Sequence, residues 1–370
     1  MIILKDKYYI AFSRIEEIGS TFIQNLYNHF NYDIEQAFCA SPAELYEIDK
    51  ISKNKVQKFV EARNKINPDE SYELVQKQGL KYITFEDKNY PKLLKEISNP
   101  PMLLYYKGDL ARVNFYRTLA IVGSRKASQS AKDVLASIVN EFKGTDLTIV
   151  SGLAYGIDAV AHEYALKNDI ATIGVIASGF NYTYPNQNRD LYKKIEDGGG
   201  VIFSEYWYDF APMQFRFPHR NRIVSGLSYG TLVAEAALKS GALITANLTL
   251  EQNRELMCMP GSLTNPNTAG VYKLLKNGAG LVTSATDILE YLNWDIIKEE
   301  KQTSSMDNLD ITKDEEVVLN LIAIENASVD EIIQNSGLNF DDLMLILTTL
   351  EIKGHIKQVD GGKYQSLVKI

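Results

Sequence analysis

Apolar positions along the chain change rhythm twice. From about residue 8 to 78 they recur at helical spacing in short bursts, which predicts helices at 20–30, 34–38, 41–48 and 53–64. Ser41-Pro42 followed by Glu44 supplies an N-cap and a proline at the first helical position, a good helix start. From about 80 to 292 short apolar runs at 119–122, 147–150, 171–176, 201–203, 231–233 and 256–259 alternate with helical stretches at 128–142, 157–168, 187–197, 240–252 and 268–277. Strands that are apolar throughout, each followed by a helix, predict an α/β core with a parallel sheet covered on both faces. In such sheets ligands bind beyond the carboxyl ends of the strands. Residues 293–312 are polar without period and read as a linker. Beyond them, helices at 313–325, 328–335 and 340–353 precede two short strands around Asp360-Gly361-Gly362, the outline of a winged helix.

Composition narrows this picture without redirecting it. A chain of 370 residues has room for two or three cores, and 45% hydrophobic with 23% charged residues is ordinary for a soluble globular protein. No apolar run approaches the roughly 18 residues of a membrane span, and the start at Met1 is too short in apolar residues for a signal peptide. Cys39 and Cys258 lack companions at metal-ligand spacing, so two buried small hydrophobes in a reducing cytoplasm are expected. The net charge of −8 argues against a nucleic-acid partner, but the charge is unevenly placed. Residues 310–370 hold five lysines against eleven carboxylates, which leaves the remainder nearly neutral and a local basic groove open.

The candidate chemistry sits where strands run into loops. Gly123-Ser124-Arg125 follows an apolar strand and precedes a helix opened by Ser128. Glycine allows close backbone approach, a helix N-terminus offers free N–H groups, and arginine matches phosphate geometry. The triplet is neither GxGxxG nor a Walker A loop, so no dinucleotide or triphosphate cofactor is implied; a purely structural turn fits it equally. Ser151-Gly152 repeats the design on a second strand end. Asp158 and His162, four apart on one helix face, read more simply as a helix cap and a packed histidine than as a catalytic pair. Tyr184, Asn188 and Arg189 lie in a stretch of rings and amides of the kind on which bases stack, although a packing role for any one tyrosine is as good a reading. The run 215–222, with Arg220, Asn221 and Arg222 among aromatics, reads as a pocket lining more than a solvated charge run.

These motifs resemble those of the DprA/Smf family of DNA-processing proteins. Ile121-Val-Gly-Ser-Arg125, Ser151-Gly-Leu-Ala-Tyr-Gly-Ile-Asp158 with Ala161-His162, Tyr184-Pro185 with Asn188, and Ser204-Glu205 occur in the family's order. So do Phe217-Pro-His-Arg-Asn-Arg-Ile223, Val233-Ala-Glu-Ala236, Ser240-Gly-Ala-Leu-Ile-Thr-Ala246 and Pro260-Gly261. The likeness spans about 85–290 and implies an extended Rossmann-like core (81–292). Flanking it would be a small helical domain, SAM- or helix-hairpin-helix-like (1–80), and a winged helix (313–370). It further implies a homodimer that binds single-stranded DNA in a basic pocket and delivers it to the RecA recombinase in natural transformation; the lack of catalytic partners adds that it is not an enzyme, and the cysteines and apolar runs that it is cytoplasmic with no membrane association. By motif, Gly123, Ser124 and Arg125 would hold backbone phosphate, with Ser151 and Gly152 beside them and Arg220, Asn221 and Arg222 nearby. Many members carry a basic residue after Tyr-Pro where this chain has Asn186; Arg189 is the candidate replacement. The family's dimer contact falls late in the core, on the set Val271, Leu274, Leu275, Leu281 and Val282, for which buried packing is the simpler reading.

An enzymatic alternative is a nucleotide phosphoribohydrolase on a related fold, suggested by Gly230-Thr231 and Glu235. Its spacing is one residue too long, and no matched acid and base accompany it. In the terminal region the candidate recognition helix carries Asp341, Asp342 and Glu351 with no base before Lys353. A protein-contact or regulatory role is expected there in place of duplex reading.

Overall fold

Alternate residues of each core strand pack to opposite sides of a nine-stranded sheet, and this alternation sets the layers. In the computed structural model, which describes residues 3–49, 51–295, 312–324, 327–353, 355–359 and 362–366, the strands are β1 Lys81–Thr84, β2 Leu103–Gly108, β3 Thr118–Val122, β4 Thr148–Ser151, β5 Ala171–Val175, β6 Gly200–Ser204, β7 Gly230–Val233, β8 Glu255–Cys258 and β9 Gly280–Leu281. Their order is β1-β2-β6-β5-β4-β3-β7-β8-β9. The seven strands from β6 to β9 are parallel, whereas β1 and β2 join the β6 edge antiparallel. Leu119 and Ile121 of β3 pack with Leu135, Ile138 and Ile157 from the helices Gln129–Glu141 and Ile157–Lys167. Ala120 and Val122 face the other way, with Ile223, Ala246 and Val271 from the helices Arg216–Gly226, Gly241–Glu251 and Ala269–Lys276. The chain winds outward from β3 to β6 and returns to β7 on the other side of β3. The topological switch point therefore lies between β3 and β7, and a ligand crevice is expected above it.

Several elements differ from the sequence expectation. The Ile3–Ser13 helix escapes a periodicity search because Tyr8, Tyr9, Ile10, Ala11 and Phe12 are all buried, and a helix covered on every side shows no polar face. The Pro68–Lys77 helix, capped by Asn67, was likewise not predicted, nor were β1, which is only partly apolar, and β2, whose apolar run 102–106 is followed by no helix of the alternating pattern. The N-terminal helices share one core with Met102, Tyr105 and Trp207, and Met1–Lys298 forms a single compact unit.

The second unit, Glu299–Ile370, holds the helices Lys313–Ile324, Val329–Ser336 and Phe340–Ile352 and a small sheet of β10 Ala327–Ser328, β11 Ile356–Val359 and β12 Lys363–Ser366. Its own core joins Leu319, Ile332, Leu347 and Tyr364. Most of the expected 293–312 linker, and Asp360-Gly361 of the hairpin turn, lie outside the described residues. Cys258 is buried as expected, but Cys39 is exposed at the end of the helix Ile34–Cys39. Of the late apolar set, Val271, Leu274 and Val282 are buried in the core while Leu281 on the edge strand is half exposed. No helix among the described residues is long and apolar enough to cross a membrane.

Candidate functional site

The loop after β3 is held open by what lies beneath it. A Cβ on Gly123 would come within 2.5 Å of the Ile157 side chain, so only glycine lets the turn sit over the start of the Ile157–Lys167 helix. Ser124 N–H donates to the Glu235 carbonyl at 2.7 Å, and the Ser124 carbonyl accepts from Ile157 N–H at 3.3 Å. Gly156, at φ +75°, would place a Cβ 2.3 Å from the same carbonyl. The turn is thereby fixed and presents Arg125 and Lys126 outward, both exposed.

The start of the next helix is partly used from within: Ser128 Oγ accepts from Ala131 N–H at 3.3 Å. The buried Glu235 carboxylate holds this cap residue in turn, accepting from Ser128 Oγ at 2.6 Å, from Ser128 N–H at 3.2 Å and from Asn265 Nδ2 at 3.0 Å. The acid of the suspected hydrolase element thus serves an internal role. Asp158 is not the expected helix cap; it ties the preceding loop, accepting from Gly152 N–H at 3.2 Å and Ala154 N–H at 3.4 Å. Burial raises its carboxyl, and the Arg220 guanidinium opposes that rise.

Between these loops lies a cleft of about 720 Å³ above the switch point. Arg220 lines it as a buried cation, donating from Nη1 to the Gly152 carbonyl at 2.6 Å and to the Val175 carbonyl, and from Nε to Asn221 Oδ1 at 3.2 Å. A Cβ at Gly152 would fall 2.4 Å from Nη2, so this guanidinium lies flat against glycine backbone. Burial depresses the Arg220 pKa, and facing Asp158 counters the shift. At the mouth, the half-exposed Tyr184 ring is 5.3 Å from that of Phe217, and the Arg125 guanidinium lies 5.2 Å from the Phe217 centroid. Lys126, Lys239 and the Ser240–Gly241 helix start complete the rim.

Of the residues anticipated from sequence, Gly123, Ser124, Arg125, Gly152, Tyr184, Arg220 and Asn221 line this one cleft. Four do not. Ser151 is fully buried and donates to the Ile121 carbonyl at 2.6 Å, tying β4 to β3. Asn188 Nδ2 donates to the carbonyls of Leu153 at 2.9 Å and Ala154 at 3.2 Å, which props the Gly152 loop from behind. Arg189 is exposed at the start of the helix Arg189–Lys194, outside the lining. Arg222 turns to the opposite side, donating to Ser20 Oγ and Glu205 Oε1, both at 2.6 Å, and to the Asn99 carbonyl at 2.9 Å. His162 is a packed histidine: Nδ1 is 2.7 Å from Thr172 Oγ1, and burial with the nearby Arg220 pushes its pKa down to about 3. Lys126 and Lys239 were not singled out, whereas Phe217 belongs to the 215–222 run read as a pocket lining and does line the cleft. Lys239 lies six residues beyond the end of β7, just before the Ser240 cap of the helix Gly241–Glu251, so only the helix start that follows it could have drawn attention to it.

Comparison with known proteins fits this architecture. The family model for DNA recombination-mediator protein A matches residues 81–293, and that for the DprA winged helix domain matches 302–362. The chain belongs to the DNA recombination-mediator protein A family. It is 32% identical to Protein Smf of Synechocystis over 391 residues, covering 97% of this chain and 98% of that one. Among solved structures, DNA processing protein A from Streptococcus pneumoniae superposes with a TM-score of 0.66 at 33% identity, covering 76% of this chain and 95% of its own. DNA processing protein A from Helicobacter pylori, studied for its single-stranded DNA binding mode, gives 0.52 at 30% identity, covering 58% and 96%. Both family models meet the two units of the fold, the α/β core with its helical start and the winged helix.

Proposed function

We propose that the cleft above the β3/β7 switch point holds single-stranded DNA. One observation carries the reading: the cleft brings the cations Arg125, Lys126, Arg220 and Lys239 together with the rings of Tyr184 and Phe217. Cations track a phosphate backbone while aromatic faces take unpaired bases, and a duplex has no bases free to stack. The Helicobacter pylori relative's DNA supports the same ligand class. Membership of the family carries the wider assignment: a homodimer acting in the cytoplasm without catalysing a reaction, protecting incoming DNA and passing it to RecA. The carboxylates of Glu235 and Asp158 sit beside the helix starts at the Gly123 and Gly152 loops, so the guanidinium and ammonium groups carry the larger electrostatic share.

A salt titration of single-stranded and duplex oligonucleotides against wild type and Arg125→Ala tests the reading. Single strands should bind more tightly, with log affinity falling by about 0.7 per phosphate contacted for each unit of log salt. Arg125→Ala should weaken binding for every base sequence alike. Equal preference for duplex, or salt-independent binding, would overturn the assignment.

A further inference from the structure

One exposed ring lies outside the lining of the cleft and yet is tied to two of the loops that form it. Tyr155 stands on the loop after β4, between Ala154, which lines the cleft, and Gly156, where a Cβ would fall 2.3 Å from the Ser124 carbonyl oxygen and 2.8 Å from that of Arg125. The Tyr155 loop is therefore packed against the backbone of the Arg125 loop. On the other flank the Tyr155 hydroxyl donates to Gln187 Oε1, in the turn Asn186–Asn188 that follows Tyr184. Asn188 binds the same turn to the Leu153 and Ala154 carbonyls, and the Tyr192 hydroxyl donates to the Tyr184 carbonyl at 2.9 Å. Tyr155 thus joins the loops that carry Arg125 and Tyr184 to the mouth of the cleft.

This ring fills no core. It is 37% exposed, it packs into neither of the hydrophobic clusters beside it, and no other ring lies against it among the described residues. Its hydroxyl end is nevertheless anchored. A ring held at one end with its face open has little freedom left to lose when a flat partner settles on it. Nucleobases are such partners, and because every base has a π-face the contact needs no particular sequence.

We propose that Tyr155 is an outer stacking platform, on which a base of the single strand lies as the strand leaves the cleft past Arg125 and Tyr184. The proposal rests on the reading of the cleft as a single-strand site and adds a path to it. The strand passes over the β4 side of β3, away from Lys239 and the Ser240 helix start that follow β7 on the other side.

The test is the affinity of the full chain for an oligothymidylate of about 20 nucleotides, titrated against salt. Stacking is an uncharged contact, so Tyr155→Ala should weaken binding about fivefold or more while the slope of log affinity on log salt keeps its wild-type value. Tyr155→Phe keeps the ring face and should bind within about twofold of wild type. Arg125→Ala should instead make the slope shallower by about 0.7, the share of one phosphate. Tyr116 is the control: it is more exposed than Tyr155 but precedes β3, at the opposite end of the sheet, and Tyr116→Ala should change neither quantity. Wild-type affinity in Tyr155→Ala would overturn the proposal, as would an equal loss in Tyr116→Ala or Tyr155→Phe. A slope made shallower as in Arg125→Ala would also overturn it, by showing that Tyr155 only props the Arg125 loop. Failure of the cleft reading looks different: wild type then binds no single strand, or binds it independently of salt and of Arg125, and the platform falls with it.

Discussion

Arg220 and Arg222 stand two residues apart, and the helix turns about 200° between them. Arg220 therefore meets the cleft and Arg222 meets Glu205 beneath the N-terminal helices. Truncating Arg222 leaves Glu205 buried without its guanidinium, a change of about 3–5 kcal/mol in the buried pairs where it has been measured. Arg222→Ala should thus lower the denaturation midpoint sharply while the folded fraction keeps wild-type affinity for single strands. A variant of normal stability with weakened DNA binding would instead move Arg222 into the site. His162 gives a second residue-scale expectation. The Thr172 hydroxyl donates to the Ile149 carbonyl at 2.8 Å, so His162 Nδ1 carries the proton toward Thr172 and Nε2 is a buried bare acceptor. The ordinary histidine pKa is 6.5 and the folded value is about 3. Below the first, the unfolded chain takes a proton that the folded chain refuses. Stability from neutral His162 is complete above 6.5 and lost as pH falls toward 3, by up to about 1.4 kcal/mol per pH unit. Urea midpoints across that window should fall more steeply for wild type than for His162→Gln; parallel curves would show that the histidine accepts its proton in the folded state.

At the scale of elements, the parallel strands were legible because their residues are apolar throughout, as at 119–122, and each is followed by a helix with a polar face. The Arg216–Gly226 helix was not. Pro218 in its first turn and four basic residues hide a helix whose buried positions include Arg216, Arg220 and Arg222, residues a periodicity search scores as surface. Reading that run as one lining put Arg222 in the cleft; once it is a helix, Phe217, Arg220 and Asn221 line the cleft while Arg216 and Arg222 meet the N-terminal helices. Likewise Ser151 and Asn188 belong to recognisable motifs, and pattern alone does not say whether a motif residue touches the ligand or props the loop that does. The loops themselves invite a test. A methyl group at Gly152 would lie 2.4–2.7 Å from three guanidinium atoms of Arg220, so Gly152→Ala should dislodge that side chain from the Gly152 and Val175 carbonyls. Lower thermal stability together with weaker single-strand binding is expected. Gly241→Ala, whose Cβ meets nothing within 4 Å, should leave stability unchanged. Full stability in Gly152→Ala would mean the guanidinium has another seat.

For the whole molecule, a net charge of −8 and DNA binding are compatible only because the charge is partitioned. Residues 1–309 carry 34 lysines and arginines against 36 carboxylates, and within that near balance the cleft gathers Arg125, Lys126, Arg220 and Lys239. The winged helix has the opposite character. Asp341 and Asp342 open its Phe340–Ile352 helix, and Leu345 and Ile352 stand exposed on it, a surface that repels phosphate and offers apolar contact instead. If single strands are held in the cleft alone, four cations predict a salt slope of roughly −3 on a log–log plot. The chain ended at Lys298 should then give the same slope and an affinity equal to or above that of the full chain, because the acidic unit contributes only repulsion. Residues 299–370 alone should not bind duplex DNA at physiological salt. A shallower slope in the shortened chain, or duplex binding by the terminal unit, would place phosphate contacts in the winged helix, which would then have to present Lys353, Lys357 and Lys363 to the DNA in spite of the carboxylates around them.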